Sequence, residues 1–180
     1  MSEAAALRDI GVGLVPQGTG WFVVNAREAG WHDAGPFGFF CAFEGDERFA
    51  QLGINLNVLQ PGESNGLYHR EGTQEDFLIL AGECLLLIED EARLLRAWDF
   101  AHSPPGADHI LVGAGNGPCL FVAVGARPGR GAVFPVSDVA RKHEVGVARE
   151  TTSAEEAYAS YRTNPRGAPT QYHHDWLPDL

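Results

Sequence analysis

The chain has 180 residues, of which 44% are hydrophobic and 21% are charged, and its formal net charge is −11. This length and composition are typical of one globular domain with a sizeable core, and they exclude an intrinsically disordered chain. The acidic excess argues against a nucleic-acid partner and against binding to anionic membranes.

The three cysteines, Cys41, Cys84 and Cys119, each lie in an apolar run and cannot all pair with one another. We interpret them as buried thiols of a protein in a reducing compartment. Glu3 and Asp9 interrupt the N-terminal residues, which do not resemble a signal peptide. The longest apolar stretches are too short to span a membrane. The sequence therefore predicts a cytoplasmic protein with no membrane partner.

Residues 1–20 are predicted to form an N-terminal arm, irregular except for one short helical turn at Ala4–Leu7. A first strand is predicted at Trp21–Ala26, and further short strands follow, separated by turn signals. Many short strands without a helical period between them indicate an all-β barrel or sandwich over residues 21–128. These further strands are predicted at Phe37–Phe43, Gln51–Leu59, Leu67–Glu71, Asp76–Leu80, Glu83–Ile88, Ala92–Leu95, Asp99–Ser103, His109–Val112 and Cys119–Val124.

The strand at Gln51–Leu59 has the clearest alternation in the chain. Its apolar side chains alternate with Gly53, Asn55 and Asn57, which share the opposite face. This pattern is typical of a half-buried strand.

Residues 129–180 are predicted to form a C-terminal extension with a short helix near residues 152–162. Ser153 and Glu156 form a capping box, and about three helical turns are expected after it. The rest of the extension is rich in proline and irregular. Its Tyr172 and Trp176 indicate that it packs on the barrel or on a partner subunit, because free tails seldom carry such residues.

Polar, ionisable residues converge in the stretch from Pro61 to Gly82. His69 and Glu71 are two apart in a predicted strand, so they point to the same face. A turn at residues 72–74 would bring Glu75 back beside them. A polar cluster inside an apolar barrel is most simply explained by a metal ion.

Two stretches of the chain together resemble the two motifs of the cupin family, of the single-domain, conserved-barrel type. Glu75 and Gly82 are separated by six residues, as in the first motif. The second motif is matched by the run from Pro104 to His109. The chain departs from the family pattern at Glu71, where the family has histidine, and at Trp98 and Gly113, where it has glycine and asparagine. The residues that match the first cupin motif are Gly62, His69, Glu75 and Gly82.

The resemblance implies a double-stranded β-helix, or jelly-roll barrel, that holds one divalent metal in a central cavity. By position, the ligands would be His69, Glu75 and His109, with Glu71 in place of the second histidine. Two imidazoles and one carboxylate form the facial triad suited to Fe(II), and a second carboxylate shifts the preference toward Mn or Zn. Zn, Fe, Mn and Ni all remain candidates.

Other interpretations stay open for these residues. His69 and His109 could be hydrogen-bonded structural histidines, and Glu71 could instead pair with Arg70 or with another arginine at the barrel mouth. His102 could lie around the metal and support its ligands. Tyr68 and Arg70 alternate with His69 and should face away from the cavity.

The cupin resemblance implies a metal-dependent enzyme, such as an oxygenase, isomerase or lyase, acting on a small organic acid or sugar-like substrate. The metal would act as a Lewis acid or activate water or O2. The alternative is a non-catalytic module that binds or senses a small ligand, including a barrel that has lost its metal. The resemblance also implies a homodimer, since cupins commonly pair barrel edges, which protects exposed strands.

Overall fold

The computed structural model describes residues 3–127, 131–161 and 167–176. Strands dominate it, and its two α-helices are short. The helices are α1 (Asp138–Lys142) and α2 (Ala154–Ala157). The strands are β1 (Ala6–Asp9), β2 (Leu14–Gln17), β3 (Trp31–Asp33), β4 (Phe39–Cys41), β5 (Leu52–Leu59), β6 (Arg70–Glu71), β7 (Glu75–Ala81), β8 (Glu83–Ile88), β9 (Glu91–Arg96), β10 (Phe100–Ser103), β11 (His109–Ala114), β12 (Cys119–Ala126), β13 (Ala132–Val133) and β14 (Ala168–Thr170).

Two antiparallel sheets form the body of the barrel. The larger has seven strands in the order β10-β7-β12-β5-β4-β3-β14, and the smaller has three in the order β11-β8-β9. Strands that are distant in sequence, such as β12 and β5, lie side by side. This arrangement is the double-stranded β-helix, and it confirms the predicted fold class.

The barrel interior is filled by apolar side chains from both sheets. Phe77 and Phe121 come from the larger sheet, and Leu86 and Leu111 from the smaller. The rings of Phe77 and Phe121 meet edge to face with their centroids 6.2 Å apart. Close packing of these side chains joins the two sheets and positions their ends around the candidate site.

The C-terminal segment covers the outer face of the larger sheet. β14 pairs with β3, and Trp176 and Tyr172 pack against Trp31, which is fully buried. The ring centroids of Trp31 and Trp176 are 5.2 Å apart. The prediction that the tail packs on the barrel is therefore confirmed, and this face of the sheet is part of a second core.

The N-terminal predictions were wrong in two places. β1 and β2 form an antiparallel hairpin, so the expected helical turn at Ala4–Leu7 is absent. Trp21–Ala26 is not a strand and makes only one isolated bridge, between Trp21 and Ala4. The Asn25 side chain accepts a hydrogen bond from the Arg27 N–H, which forms a turn in place of an extended chain.

The C-terminal helix is present but shorter than predicted. Ser153 caps α2 by accepting a hydrogen bond from the Glu156 N–H, as the capping box requires. The helix continues for only one turn, and the predicted end at Arg162 lies outside the described residues. The sequence reading missed α1, which Ser137 caps in the same way.

All three cysteines are buried and free, as predicted. Burial raises the pKa of the Cys41 thiol to about 11, which keeps this thiol protonated and unreactive. Within the described ranges, no helix is long and apolar enough to cross a membrane.

Trp98 occupies a left-handed backbone conformation in the turn between β9 and β10. Its φ is 74°, and its backbone N–H donates to the Ile79 carbonyl at 2.8 Å. The indole ring is 78% exposed and so gains little from packing. A bulky residue in this region is strained by about 1–2 kcal/mol relative to glycine, which explains why cupins place glycine here.

The Trp98→Gly variant should therefore be more stable than the wild type. Relief of the strain is partly offset by the extra freedom that glycine gives the unfolded chain, so we expect a gain of about 0.5–1 kcal/mol. Urea denaturation measures this gain. Trp98→Ala is the control, because it removes the same exposed ring but keeps the strained conformation, and it should leave the stability nearly unchanged. Equal stability of the two variants would contradict the explanation.

Candidate metal centre

Two histidines that are distant in sequence are brought together by one backbone bridge. His69 and His109 form an antiparallel pair, with the His109 N–H donating to the His69 carbonyl at 2.8 Å. Their imidazole centroids are 5.2 Å apart. Because residues paired in this way point to the same face, both rings enter the barrel together.

Each of the two rings is oriented by a backbone carbonyl. The Nδ1 atom of His69 is 2.7 Å from the Leu67 carbonyl oxygen, and that of His109 is 2.9 Å from the Ala107 oxygen. A carbonyl can only accept, so Nδ1 carries the proton in both rings. In the neutral rings, Nε2 therefore has the free lone pair, which is the state that a metal ligand requires.

Glu75 completes the cluster from the first residue of β7. Its Oε2 is 3.0 Å from Nε2 of His109. Ligand atoms of His69, Glu75 and His109 all lie within 4.8 Å of one another. Two ligands of one ion, each about 2.1 Å from it, can be up to about 4.2 Å apart. A small contraction would therefore fit the three side chains to one divalent ion.

The contact between His109 and Glu75 has an electrostatic signature. Burial lowers the pKa of His109, but the hydrogen bonds to Glu75 and Ala107 and the charges of Glu75 and Glu71 outweigh it and raise this pKa above its usual value. When His109 is protonated, the proton on Nε2 bridges the ring and the carboxylate. A metal ion would replace that proton, as is usual for histidine ligands.

Glu71 lies beside the cluster but is more exposed. Its Oε1 is 3.9 Å from Nε2 of His69, so the two side chains share a face as predicted. β13 pairs with β6 and places Ala132 opposite Glu71. The assignment of Glu71 as a fourth ligand stays a prediction.

Arg70 does not pair with Glu71, which contradicts the first of the two arginine pairings left open for this carboxylate. It points away from the cluster and donates to Asp108 Oδ1 at 3.0 Å, with Glu150 3.7 Å away. This ion pair joins the residue after His69 to the residue before His109. Arg70 therefore holds the two ligand segments together from outside the barrel.

Tyr68 also faces away from the cluster, as predicted. It is only 1% exposed, packs with Leu87 and Ile110, and its hydroxyl accepts a hydrogen bond from the Asp90 N–H. These contacts support a packing role.

The structure does not bring His102 to the cluster. In β10, the buried neighbours Ala101 and Ser103 point inward, and His102 points outward with half of its side chain exposed. Its Nδ1 is 2.6 Å from Asp76 Oδ1. Because alternate residues of a strand face opposite sides, His102 cannot support the ligands from this position.

A cavity of about 350 Å3, here called the mouth cavity, opens beside Glu75. It exists because the residues next to Glu75 across the sheet lack side chains. Gly125 in β12 lies opposite Glu75 of β7 on one side and opposite Gly53 of β5 on the other. The other lining residues are Asn55, Glu71, Ala126, Arg127, Gly131 and Ala132. A larger groove of about 580 Å3 lies elsewhere, between residues 146–151 and 156–161, and contains none of the cluster.

The polar face of β5 points into the barrel. Asn55 lines the mouth cavity, and Asn57 is 9% exposed. The opposite face carries Val58, which packs with Trp31 in the second core. The alternation in sequence identified the two faces of this strand, but not which of them is the interior.

Ser103 is a polar side chain that the sequence reading missed. It is opposite Glu75 in the pairing of β10 with β7 and is 1% exposed. Its hydroxyl has no hydrogen-bond partner within the described ranges. A buried hydroxyl without a partner is uncommon in folded proteins.

Gly113 replaces the final asparagine of the second motif for a steric reason. A Cβ atom at this position would be 2.2 Å from the Gln60 carbonyl oxygen, which is backbone and cannot move aside. The Gly113 N–H donates to Glu63 and its carbonyl accepts from Gly62. The loop before the first motif therefore packs directly against β11, and no side chain fits between them.

Comparison with known families gives one match. The family model of the cupin domain matches residues 55–125, which contain the whole cluster. No curated protein matches the chain.

The chain is also similar to several solved structures. A sugar phosphate isomerase of the cupin superfamily from Silicibacter pomeroyi is 26% identical, with 47% of this chain and 55% of that chain covered and a TM-score of 0.44. The polyketide cyclase RemF from Streptomyces resistomycificus is 13% identical, with 52% of this chain and 68% of that chain covered and a TM-score of 0.47. An RmlC-like cupin from Methanocaldococcus jannaschii is 21% identical, with 44% of this chain and 73% of that chain covered and a TM-score of 0.41. This chain thus spans about half the length of the isomerase.

Proposed function

Because residues 55–125 of this chain form a cupin domain, we propose that His69, Glu75 and His109 bind one divalent transition metal. The observation that carries this proposal is the convergence of two imidazole nitrogens and one carboxylate oxygen within 4.8 Å of one another. Two backbone carbonyls hold the rings in the tautomer that a ligand needs. Zn, Fe, Mn and Ni are all compatible with this donor set.

We further propose that the protein is a metal-dependent enzyme for a small organic acid or sugar-like substrate. The bound ion would supply Lewis acidity to a substrate oxygen. The ring centroids of Phe77 and Phe134 lie 5.6 Å and 6.0 Å from those of His109 and His69, so one side of the site is apolar. An apolar side strengthens charge–charge interactions between the site and a bound substrate.

Glu71 is suited to two different roles in this proposal. It lines the mouth cavity and is close to His69 without a short contact. It can serve as a fourth ligand, or it can take a proton from the substrate as a general base. Metal content and activity of a Glu71→Gln variant separate the two roles, because only a ligand affects both.

The experiment that tests the function is a turnover screen of metal-loaded protein against small organic acids and sugars. Turnover that is lost on chelation and in a folded His69→Ala variant would support an enzyme. Saturable binding of a compound without any turnover would support the alternative, a non-catalytic binding module. Turnover that persists in His69→Ala would contradict the proposed metal chemistry.

The quaternary structure and location of the protein are also proposals. Two exposed apolar side chains lie at β10, an edge strand of the larger sheet: Phe100 is its first residue, and Trp98 precedes it by two positions. Pairing of barrel edges in a homodimer would cover them, and a single-chain mass in light scattering would contradict it. Three free buried thiols fit a reducing cytoplasm, and a secreted form of the protein would argue against this location.

A further inference from the structure

We propose that Arg127 binds the carboxylate of a small monocarboxylic acid in the mouth cavity, opposite the candidate metal centre. This inference rests on the proposed function and narrows its substrate class. Arg127 follows β12 directly, on the same side as Gly125, and its side chain lines the cavity together with Glu71 and Glu75. Among the described residues of that lining, it is the one that carries a positive charge.

The guanidinium of Arg127 is held firmly on one side. Its Nη1 donates to Glu44 Oε1 at 2.7 Å and to the Phe49 carbonyl at 3.0 Å, and its Nη2 is 3.4 Å from Glu44 Oε2. Glu44 is itself fixed, since Oε1 also accepts from the Phe49 N–H at 2.8 Å. A cation whose orientation is already set loses little entropy when it binds an anion.

The other edge of the guanidinium carries the donors that remain. Arginine has five N–H groups, and within the described residues no hydrogen bond uses Nε or the second hydrogen of Nη2. Nε–H and Nη2–H point in nearly the same direction. They form the fork that matches the two oxygens of a carboxylate.

Space for a ligand lies beside this edge because residue 53 is glycine. A Cβ atom on Gly53 would be 3.0 Å from Nη2 and 3.3 Å from Nε of Arg127. Any side chain at this position would therefore crowd the free donors. Gly53 leaves open the part of the mouth cavity that borders them.

The charges around the cavity select the kind of anion. Glu71 and Glu75 share the cavity with Arg127. Even with Glu75 on a metal, the second carboxylate would repel a doubly charged phosphate more than a singly charged carboxylate. A volume of about 350 Å3 is at the small end of ligand sites. The geometry therefore favours a small monocarboxylate with a second oxygen, such as a hydroxy or oxo acid, over a neutral sugar.

The test is a calorimetric titration of metal-loaded protein with a panel of 2-hydroxy and 2-oxo monocarboxylates, their amides, and neutral polyols. The wild type should bind at least one acid and bind its amide at least about 10-fold more weakly. In Arg127→Gln, the affinity for that acid should fall about 10- to 100-fold, the range for a lost hydrogen bond to a charged group. Arg127→Lys should lose most of the affinity as well, because an ammonium cannot form the fork.

Two controls separate this proposal from other causes. Arg93→Gln removes the same charge at an exposed position, where Arg93 pairs with Glu91, and should bind the acid like the wild type. Thermal melting identifies any variant that fails to fold, and a Gly53→Ala variant then tests the same contact by crowding the free donors. It should also weaken binding of the acid.

The result that would overturn the proposal is an acid affinity that is unchanged in Arg127→Gln and in Gly53→Ala. Absence of acid binding in the wild type, or equal binding of acid and amide, would overturn it too. Metal content is measured on the same samples and should not change in the Arg127 variants. If the wild type holds no metal, the proposed metal function fails, and the same titrations without metal still decide the role of Arg127.

Discussion

The His109→Ala variant is expected to lose the metal that the wild-type protein binds. Changing groups that merely orient metal ligands weakens metal binding by about 10- to 100-fold, and removing a ligand should weaken it more than about 100-fold. His109 is 2% exposed, and its Nε2 is 3.0 Å from Glu75 Oε2. Metal analysis of untagged protein should give close to one equivalent for the wild type and little for the variant.

His102→Ala is the matched control for this experiment. It also removes an imidazole beside a carboxylate, but on the outer face of β10, where His102 contacts Asp76. It should keep the full metal content. Retention of the metal by His109→Ala, or an equal loss in His102→Ala, would contradict the assigned cluster. A second readout is the melting temperature, since a metal that binds only the folded chain raises it in the wild type and not in His109→Ala.

The Trp176→Ala variant should be strongly destabilised, although this residue lies close to the C-terminus. Its indole is 6% exposed, 5.2 Å from the Trp31 ring and 4.1 Å from the Phe39 ring between centroids. Truncation of a buried tryptophan to alanine costs about 3–5 kcal/mol. For a chain of this size, that loss lowers the melting temperature by about 6–20 °C.

Trp21→Ala provides the comparison, because Trp21 is 60% exposed. Its truncation should change the free energy of unfolding by less than about 0.5 kcal/mol. Chemical denaturation of both variants measures the difference. A small effect of Trp176→Ala would show that the C-terminal segment does not contribute to the second core, contrary to the contacts described above.

The candidate cluster could be predicted from sequence because its determinants are local. Two short stretches, around His69 and Glu75 and around His109, carry turn residues and ionisable side chains at fixed spacings. Spacing of two in a strand places side chains on one face, and a turn returns the next strand to the same place. The resemblance of the two stretches to the two cupin motifs then implied the barrel that joins them and the place of His109 in the cluster.

Several features could not be predicted, since they depend on contacts between distant parts of the chain. Arg127 meets Glu44, 83 residues earlier, only because β12 and β5 are neighbours in the larger sheet. The same pairing aligns Gly53 with Gly125 and so creates the mouth cavity. In the sequence these glycines have the same appearance as any glycine of a turn or bulge.

The sequence by itself determined the class of fold, most of the strands and the three residues of the candidate cluster. The tertiary structure decided which side of each strand is the interior. It placed Asn55 inside, turned His102 outward and covered the outer face of the larger sheet with Trp176. The physical reason is that alternation in a strand defines two faces, whereas the closure of the barrel and the docking of its extensions decide what each face contacts.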